Sequence, residues 1–311
     1  MTVHAADERP HEPGASSRQS KWWWEAWHLD AATDDGIGLS VRLSCAPALG
    51  VAWWWTYLVL PDLPGPVVVR DHEVTLPRQG LEVRADGLWG ELTCETALEH
   101  WSYGLEAFGV ALDEPGDALR GEIGERMPVG LDIEWEIEAD ANPPHERPAR
   151  WPVNGYSQTG SVRGEVLLGR SRIELDAIGY RSHTWGEPRF DAAAQTAWIH
   201  TADFDASFAQ LADGLVDGYV APSDAPAHAI SVLRGETQRG ADGLPVAARY
   251  VIDHDLEIDV EVLGLAPVPL VGPRGERSVL VRALCRYDAG EAAGSGARRI
   301  GNGWASWLDP G

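Results

Sequence analysis

The strongest constraint in this chain is a two-residue period. Leu131, Ile133, Trp135 and Ile137 alternate with Asp132, Glu134, Glu136 and Glu138. Such a segment fits a strand with one dry face and one wet, acidic face. Leu81, Val83 and Ala85 alternate with Glu82 and Arg84, Ala85-Asp86-Gly87 reads as a turn, and Leu92 and Cys94 then alternate with Glu91, Thr93 and Glu95. Leu256, Ile258, Val260 and Val262 alternate with Glu257, Asp259 and Glu261. Helical spacing is scarce, and a single helix is expected near 206–215. Turn formers, 34 glycines and 21 prolines, are spread through the chain. Short strands with regular punctuation predict an all-β protein, either a large barrel or a pair of β-domains.

A length of 311 residues is enough for two domains with their own cores. The stretch 140–152 (DANPPHERPARWP) is rich in proline and charge and has no period. It divides the chain into a polar lead-in at 1–20, expected to be disordered, and domains at 21–150 and 151–311. The segment 288–297 (DAGEAAGSGA) reads as a mobile loop. A hairpin is expected where Val162, Gly164, Val166 and Leu168 run into the turn Gly169-Arg170-Ser171 and return through Ile173, Leu175 and Ala177.

Charge narrows the partners. The net charge of −23 would repel phosphate backbones and anionic lipid, which argues against nucleic acid and membrane surfaces. Residues 1–20 hold no apolar signal core, and the longest apolar stretch, 51–60, is too short for a membrane helix of roughly 20 residues. A soluble, cytoplasmic protein is expected. Cys45, Cys94 and Cys285 are far apart and odd in number, so they read as free thiols. No HxH or HExxH spacing is present, and no metal or cofactor is expected. Nothing in the sequence sets the oligomeric state.

The segment 173–190 (IELDAIGYRSHTWGEPRF) carries the most chemistry. Period two puts Ile173, Leu175, Ala177 and Gly179 on one face, and the same parity carries Arg181, His183 and Trp185. An apolar face that turns into a fixed cation, a titratable ring and an aromatic wall suggests a polar anchor inside a cavity. A satisfied buried polar cluster fits the same spacing.

Within it, Gly179-Tyr180-Arg181-Ser182-His183-Thr184-Trp185-Gly186 resembles the G-x-R-D-H-S-W-G signature of the hydroxyneurosporene synthase (carotenoid 1,2-hydratase) and AttH-like group. That group includes kievitone hydratase-like proteins and is related to fungal decalin-forming Diels–Alderases. The resemblance implies two packed lipocalin-like β-domains. It implies cofactor-free hydration, dehydration or cyclisation of an isoprenoid- or polyketide-like substrate. Thr184 replaces the family serine, and Ser182 replaces the family aspartate. If that aspartate donates a proton in relatives, this chain lacks it or uses another acid. The parity turns position 182 away from His183, which equally fits a structural aspartate.

Protonating an isolated double bond needs a carboxylic acid kept neutral by burial, aromatic faces for the cation and a group that positions water. With His183 and Arg181 as polar anchors, the candidate acids are Glu106, which shares parity with Phe108 and Val110, then Glu25, Glu187 and Asp203. The 15 tryptophans, against 7 tyrosines and 4 phenylalanines, supply walls. Trp53, Trp55 and Tyr57 share one strand face. Trp24 and His28 lie in a second aromatic patch, and Trp198 and His200 share parity. Together with Trp185 these are the expected ligand-binding residues for a hydrophobic small molecule. A non-catalytic carrier of such ligands and a carbohydrate-active protein are the alternatives.

Overall fold

A computed structural model describes residues 3–11, 22–138, 151–272, 275–291 and 298–311. Residues 140–150 of the expected linker 140–152 and residues 292–297 of the expected loop 288–297 lie outside them, and residues 288–291 of that loop are strand instead. The first ten strands form one antiparallel sheet: β1 (Trp24–Ala32), β2 (Gly38–Ala46), β3 (Val51–Val59), β4 (Val67–Thr75), β5 (Leu81–Ala85), β6 (Leu88–Thr96), β7 (His100–Leu112), β8 (Gly124–Ile137), β9 (Val153–Leu168) and β10 (Ser171–Gly186). Their order is β4-β3-β2-β1-β10-β9-β8-β7-β6-β5. The pairs Val67↔Ala111 and Val68↔Val110 join β4 to β7, which closes a ring of eight strands.

The other nine strands form a second sheet: β11 (Ala194–His200), β12 (Phe204–Leu211), β13 (Val216–Pro222), β14 (His228–Ala229), β15 (Leu233–Arg239), β16 (Pro245–Ile252), β17 (Leu256–Val271), β18 (Arg277–Glu291) and β19 (Arg298–Pro310). Their order is β14-β13-β12-β11-β19-β18-β17-β16-β15. Both sheets are antiparallel, the arrangement in which half-buried alternating strands are common.

Parity builds the cores. In β8, Leu131, Ile133 and Trp135 are buried in the ring while Asp132, Glu134 and Glu136 face water. In β1 to β3 nearly every residue is buried, because one face fills the ring and the other packs on the second sheet. Trp53, Trp55 and Tyr57 leave the ring core and meet Ala266, Val268 and Leu270 of β17. Trp304 and Leu284 meet Ala32 and Val59. The sheets approach so closely at Gly38 that a β-carbon there would lie 2.9 Å from the Trp304 ring.

Three expectations change. The stretch 206–215 is not helical. Ala206 and Phe208 are buried against β11 and β13, and this cross-strand pairing overrides their helix preference. The division at 150 assigns β9 and β10 to the second half, whereas both strands pair within the first sheet, β10 directly beside β1. The lead-in contributes a seated segment: residues 5–8 form a 3₁₀ turn, and Glu8 is buried. Residues 12–20 lie outside the described chain. Cys45, Cys94 and Cys285 are free. No helix among the described residues is long and apolar enough to cross a membrane.

Candidate functional site

β1 and β10 lie side by side, with Trp27 opposite His183 and His28 opposite Ser182. The pleat sends alternate side chains to opposite faces, so this one strand pair serves two chambers. Glu25, Trp27, Arg181 and His183 enter the ring. His28, Asp30, Tyr180, Ser182 and Thr184 face the second sheet and line the cavity there.

The ring chamber is packed and its charged groups are paired, while His11 Nε2 and Trp27 Nε1 have no hydrogen-bond partner among the described residues. His183 has no exposed surface. Its Nδ1 lies 2.9 Å from the Asp7 carbonyl oxygen and its Nε2 lies 2.7 Å from Glu25 Oε1. A carbonyl only accepts, so Nδ1 carries hydrogen. The His183 ring stacks on Trp27 at 4.7 Å between centroids. The His11 backbone N–H donates to Glu25 Oε1 at 2.8 Å, and the His11 ring stacks on Trp185 at 3.6 Å.

Arg181 lies between Trp101 and Trp135, 5.1 and 4.9 Å from their ring centroids. Its guanidinium pairs with the Glu8 carboxylate and donates to Gln158 Oε1. Glu8 also accepts from the Tyr156 hydroxyl at 2.5 Å and the Leu98 backbone N–H at 2.8 Å. Burial opposes the charge on Arg181, but Glu8 together with Tyr156 and Tyr103 outweighs it and keeps the group protonated. Charges this dry persist only when paired. Donor atoms of His11, Glu25 and His183 lie within 4.8 Å of one another, a set of the type that holds zinc.

The chamber between the sheets is a cavity of about 360 Å³. A smaller one of about 140 Å³, lined by Trp24, Trp53, Trp55 and Trp185, shares Arg42, Val153, Thr184 and Pro188 with it. Trp198, Trp304, Tyr180 and Tyr219 give the larger one aromatic walls. Its polar end is a network. His28 Nε2 lies 3.0 Å from Asp30 Oδ1, and Arg282 pairs with Asp30 and donates to Ser306 Oγ at 2.8 Å.

Burial alone would raise the Asp30 carboxyl, but Arg282 and His28 hold it well below the usual range. Burial pushes His28 down, so its ring is neutral at pH 7. The ionised Asp30 only accepts, so His28 Nε2 carries the hydrogen and Nδ1 keeps a lone pair. Burial and the neighbouring Arg282 lower Arg42 to about 10, still cationic at neutral pH. Arg42 donates to Ser44 Oγ at 2.9 Å and forms no ion pair among the described residues.

The candidates named from sequence therefore separate. Arg181 and His183 share the ring chamber with Glu25. Trp24, Trp53, Trp55, Trp198 and His28 line the two cavities between the sheets, with Trp185 at the edge. Tyr57 packs beside them. The parity inferred for Glu106 is inverted: Trp101, Tyr103, Leu105 and Ala107 are the buried set, and Glu106 is exposed. Glu187 follows the strand break at Gly186 and is exposed on an open cleft beside Trp22 and Trp23. Asp203 is exposed on a separate cleft of the second sheet. His200 pairs with Asp205 at 2.7 Å and lies outside the inter-sheet cavity. Sequence reading missed Glu8, His11 and Arg282. Only Glu8 carried a signal, an acid two residues before Pro10-His11 in an otherwise featureless lead-in.

Fold and chambers together define a two-sheet, lipocalin-like β protein with a closed ring and an inter-sheet cavity. The chain belongs to the family described as Domain of unknown function (DUF7064), which matches residues 4–310. No curated protein matches it. Among solved structures it is similar to a Nitrosomonas europaea protein with an AttH designation, at 13% identity over 93% of each chain and a TM-score of 0.62. CghA bound to Sch210972 is 10% identical over 93% of this chain and 89% of that one, with a TM-score of 0.57. Kievitone hydratase from Nectria haematococca is 12% identical over 97% and 94%, with a TM-score of 0.55. At these identities the likeness is one of fold, and it agrees with the lipocalin-like architecture that the GYRSHTWG resemblance implied.

Proposed function

We propose that this protein is a cofactor-free enzyme of hydratase or cyclase type. Its substrate has a hydrophobic body, isoprenoid- or polyketide-like, and a carbonyl or acidic head, and it binds between the sheets. The observation that carries this reading is Arg42. It forms no ion pair among the described residues, lies 5.7 Å from the Trp55 ring centroid, and shares with Arg282 and Asp30 a cavity walled by tryptophan. A half-buried cation of this kind, facing a cavity, suits an oxygen anion or a polarised carbonyl. Trp24, Trp53, Trp55 and Trp198 take the apolar body. By their names, kievitone hydratase acts as a hydratase and CghA binds Sch210972, and both share this fold.

The charge pattern selects the chemistry. Two guanidinium groups oppose a carbocation near them and favour an electron-rich intermediate. Asp30 is held ionised, so it is no proton donor for an isolated alkene. The supported reaction is addition of water to a double bond conjugated with a carbonyl, or its reverse. His28 Nδ1 takes a proton from water as the carbon–oxygen bond forms. The electron pair moves to the carbonyl oxygen beside Arg42 and Arg282, and the imidazolium returns the proton to carbon. Asp30 orients the ring, as the third group of a catalytic triad does.

The test is turnover by mass spectrometry across enones and polyenes with acidic heads. His28→Ala is expected to lower kcat by about 10²- to 10⁴-fold, and Arg42→Ala is expected to weaken binding. Unaltered turnover in both variants rejects the assignment. A ligand retained stoichiometrically and unchanged by the wild type would instead mark a carrier.

A further inference from the structure

We propose that His11, Glu25 and His183 form a binding site for a divalent transition ion, zinc being the best match, and that the ion ties the amino-terminal segment to the ring. The site is independent of the inter-sheet reading, since its side chains point to the opposite face of β1 and β10.

The donor set is two imidazoles and one carboxylate, the composition of known three-ligand zinc sites, and all three donor atoms lie within 4.8 Å of one another. The orphan atom is His11 Nε2. It is buried and has no hydrogen-bond partner among the described residues. Both rings are held in orientation, His11 by stacking on Trp185 and His183 by stacking on Trp27. The Asp7 carbonyl accepts the Nδ1–H of His183, which is the supporting contact that metal-bound histidines use and which leaves Nε2 as the ligand nitrogen.

Nε2 then faces Glu25 Oε1 at 2.7 Å. Two lone pairs cannot meet at that distance without a cation between them. A proton meets the need for this pair but leaves His11 Nε2 unpaired. A divalent ion serves all three donors after they move apart to metal–ligand distances of about 2.0–2.2 Å. His11 is partly exposed, so an ion enters from its side. No spacing rule reveals this cluster, because two of its ligands lie near the amino terminus and the third is on β10.

The experiment uses full-length protein stripped by chelation. Cobalt(II) is titrated by visible absorption, zinc by calorimetry, and hydrogen exchange is followed on residues 3–11. One ion per chain is expected, with the intense visible bands of low-coordinate cobalt and slower exchange in 3–11. Supporting contacts alone change metal affinity by about 10- to 100-fold, so His11→Ala, which removes a ligand, is expected to weaken it by more than about 100-fold. His11→Cys keeps a ligand and is expected to restore binding with a thiolate charge-transfer band, which separates lost ligation from lost folding. No saturable binding overturns the site. So does equal affinity in wild type, His11→Ala and Glu25→Gln. Binding that leaves exchange in 3–11 unchanged overturns the tether.

Discussion

The carboxylate of Glu8 pairs with the guanidinium of Arg181 across 173 residues of sequence. Each is buried, and each is the main charge partner of the other. Removing one member of a buried pair leaves an uncompensated charge, at a cost of about 3–5 kcal/mol. Glu8→Ala is therefore expected to lower the unfolding free energy by about that amount in denaturant titrations. Arg181→Met in the Glu8→Ala background is expected to recover part of the loss, because no lone charge remains. An additive double mutant would show that the pair is not coupled.

His28→Ala and His183→Ala are expected to fail differently. His28 faces the inter-sheet cavity, so its loss lowers turnover with little change in melting temperature. His183 holds Glu25 and Asp7 inside the ring, so its loss lowers stability first. Leaving the Glu25 carboxylate without its ring partner costs about 1–3 kcal/mol. Parallel kinetics and melting curves distinguish the two, and a turnover loss confined to His183→Ala would move the active site into the ring.

His72 gives a signature in pH. It packs against Trp53 at 4.7 Å, its Nε2 has no partner among the described residues, and burial, with a smaller push from Arg70, lowers it to about 4. Below the unfolded value near 6.5 the unfolded chain binds a proton that the native ring refuses. The stability present above pH 6.5 is thus lost as pH falls from 6.5 towards 4, by up to about 3 kcal/mol. His72→Phe is expected to flatten this limb, as read from unfolding free energies across that range. An unchanged slope would refute the assignment.

The seam between the sheets tolerates little volume. A β-carbon at Gly38 would lie 2.9 Å from the Trp304 ring and 3.0 Å from Leu284. Gly38→Ala is expected to cost about 1–3 kcal/mol and to loosen the bond from Trp304 Nε1–H to the Ala31 carbonyl, now 2.9 Å. Near-ultraviolet dichroism and indole exchange report both effects. An unperturbed spectrum would mean that the sheets slide apart at no cost.

The alternation in β8 and the row from Ile173 to His183 identified strands and their inner faces correctly, because side-chain parity is a local property of the extended chain. Parity failed for Glu106 because Trp101, Tyr103 and Leu105 fixed the opposite register for β7. The same rule that united Arg181 with His183 separated them from most of the tryptophans. Trp53 and Trp55 sit on strands whose two faces are both buried, and composition alone does not say which face meets the ring and which meets β17.

What the sequence by itself determined is the all-β class, the individual strand faces and the segment that carries Arg181 and His183. The tertiary structure decided which carboxylates belong to them. Glu8 and Glu25 come from the amino-terminal segment and from β1, and they reach Arg181 and His183 only because β1 lies beside β10 and the lead-in folds into the ring. In the order β2-β1-β10-β9 the outer pairs are local hairpins, and the β1–β10 pairing that joins them brings together segments distant in sequence. Pattern within a strand carries no information about its neighbour, so these partners appear only when the sheet closes.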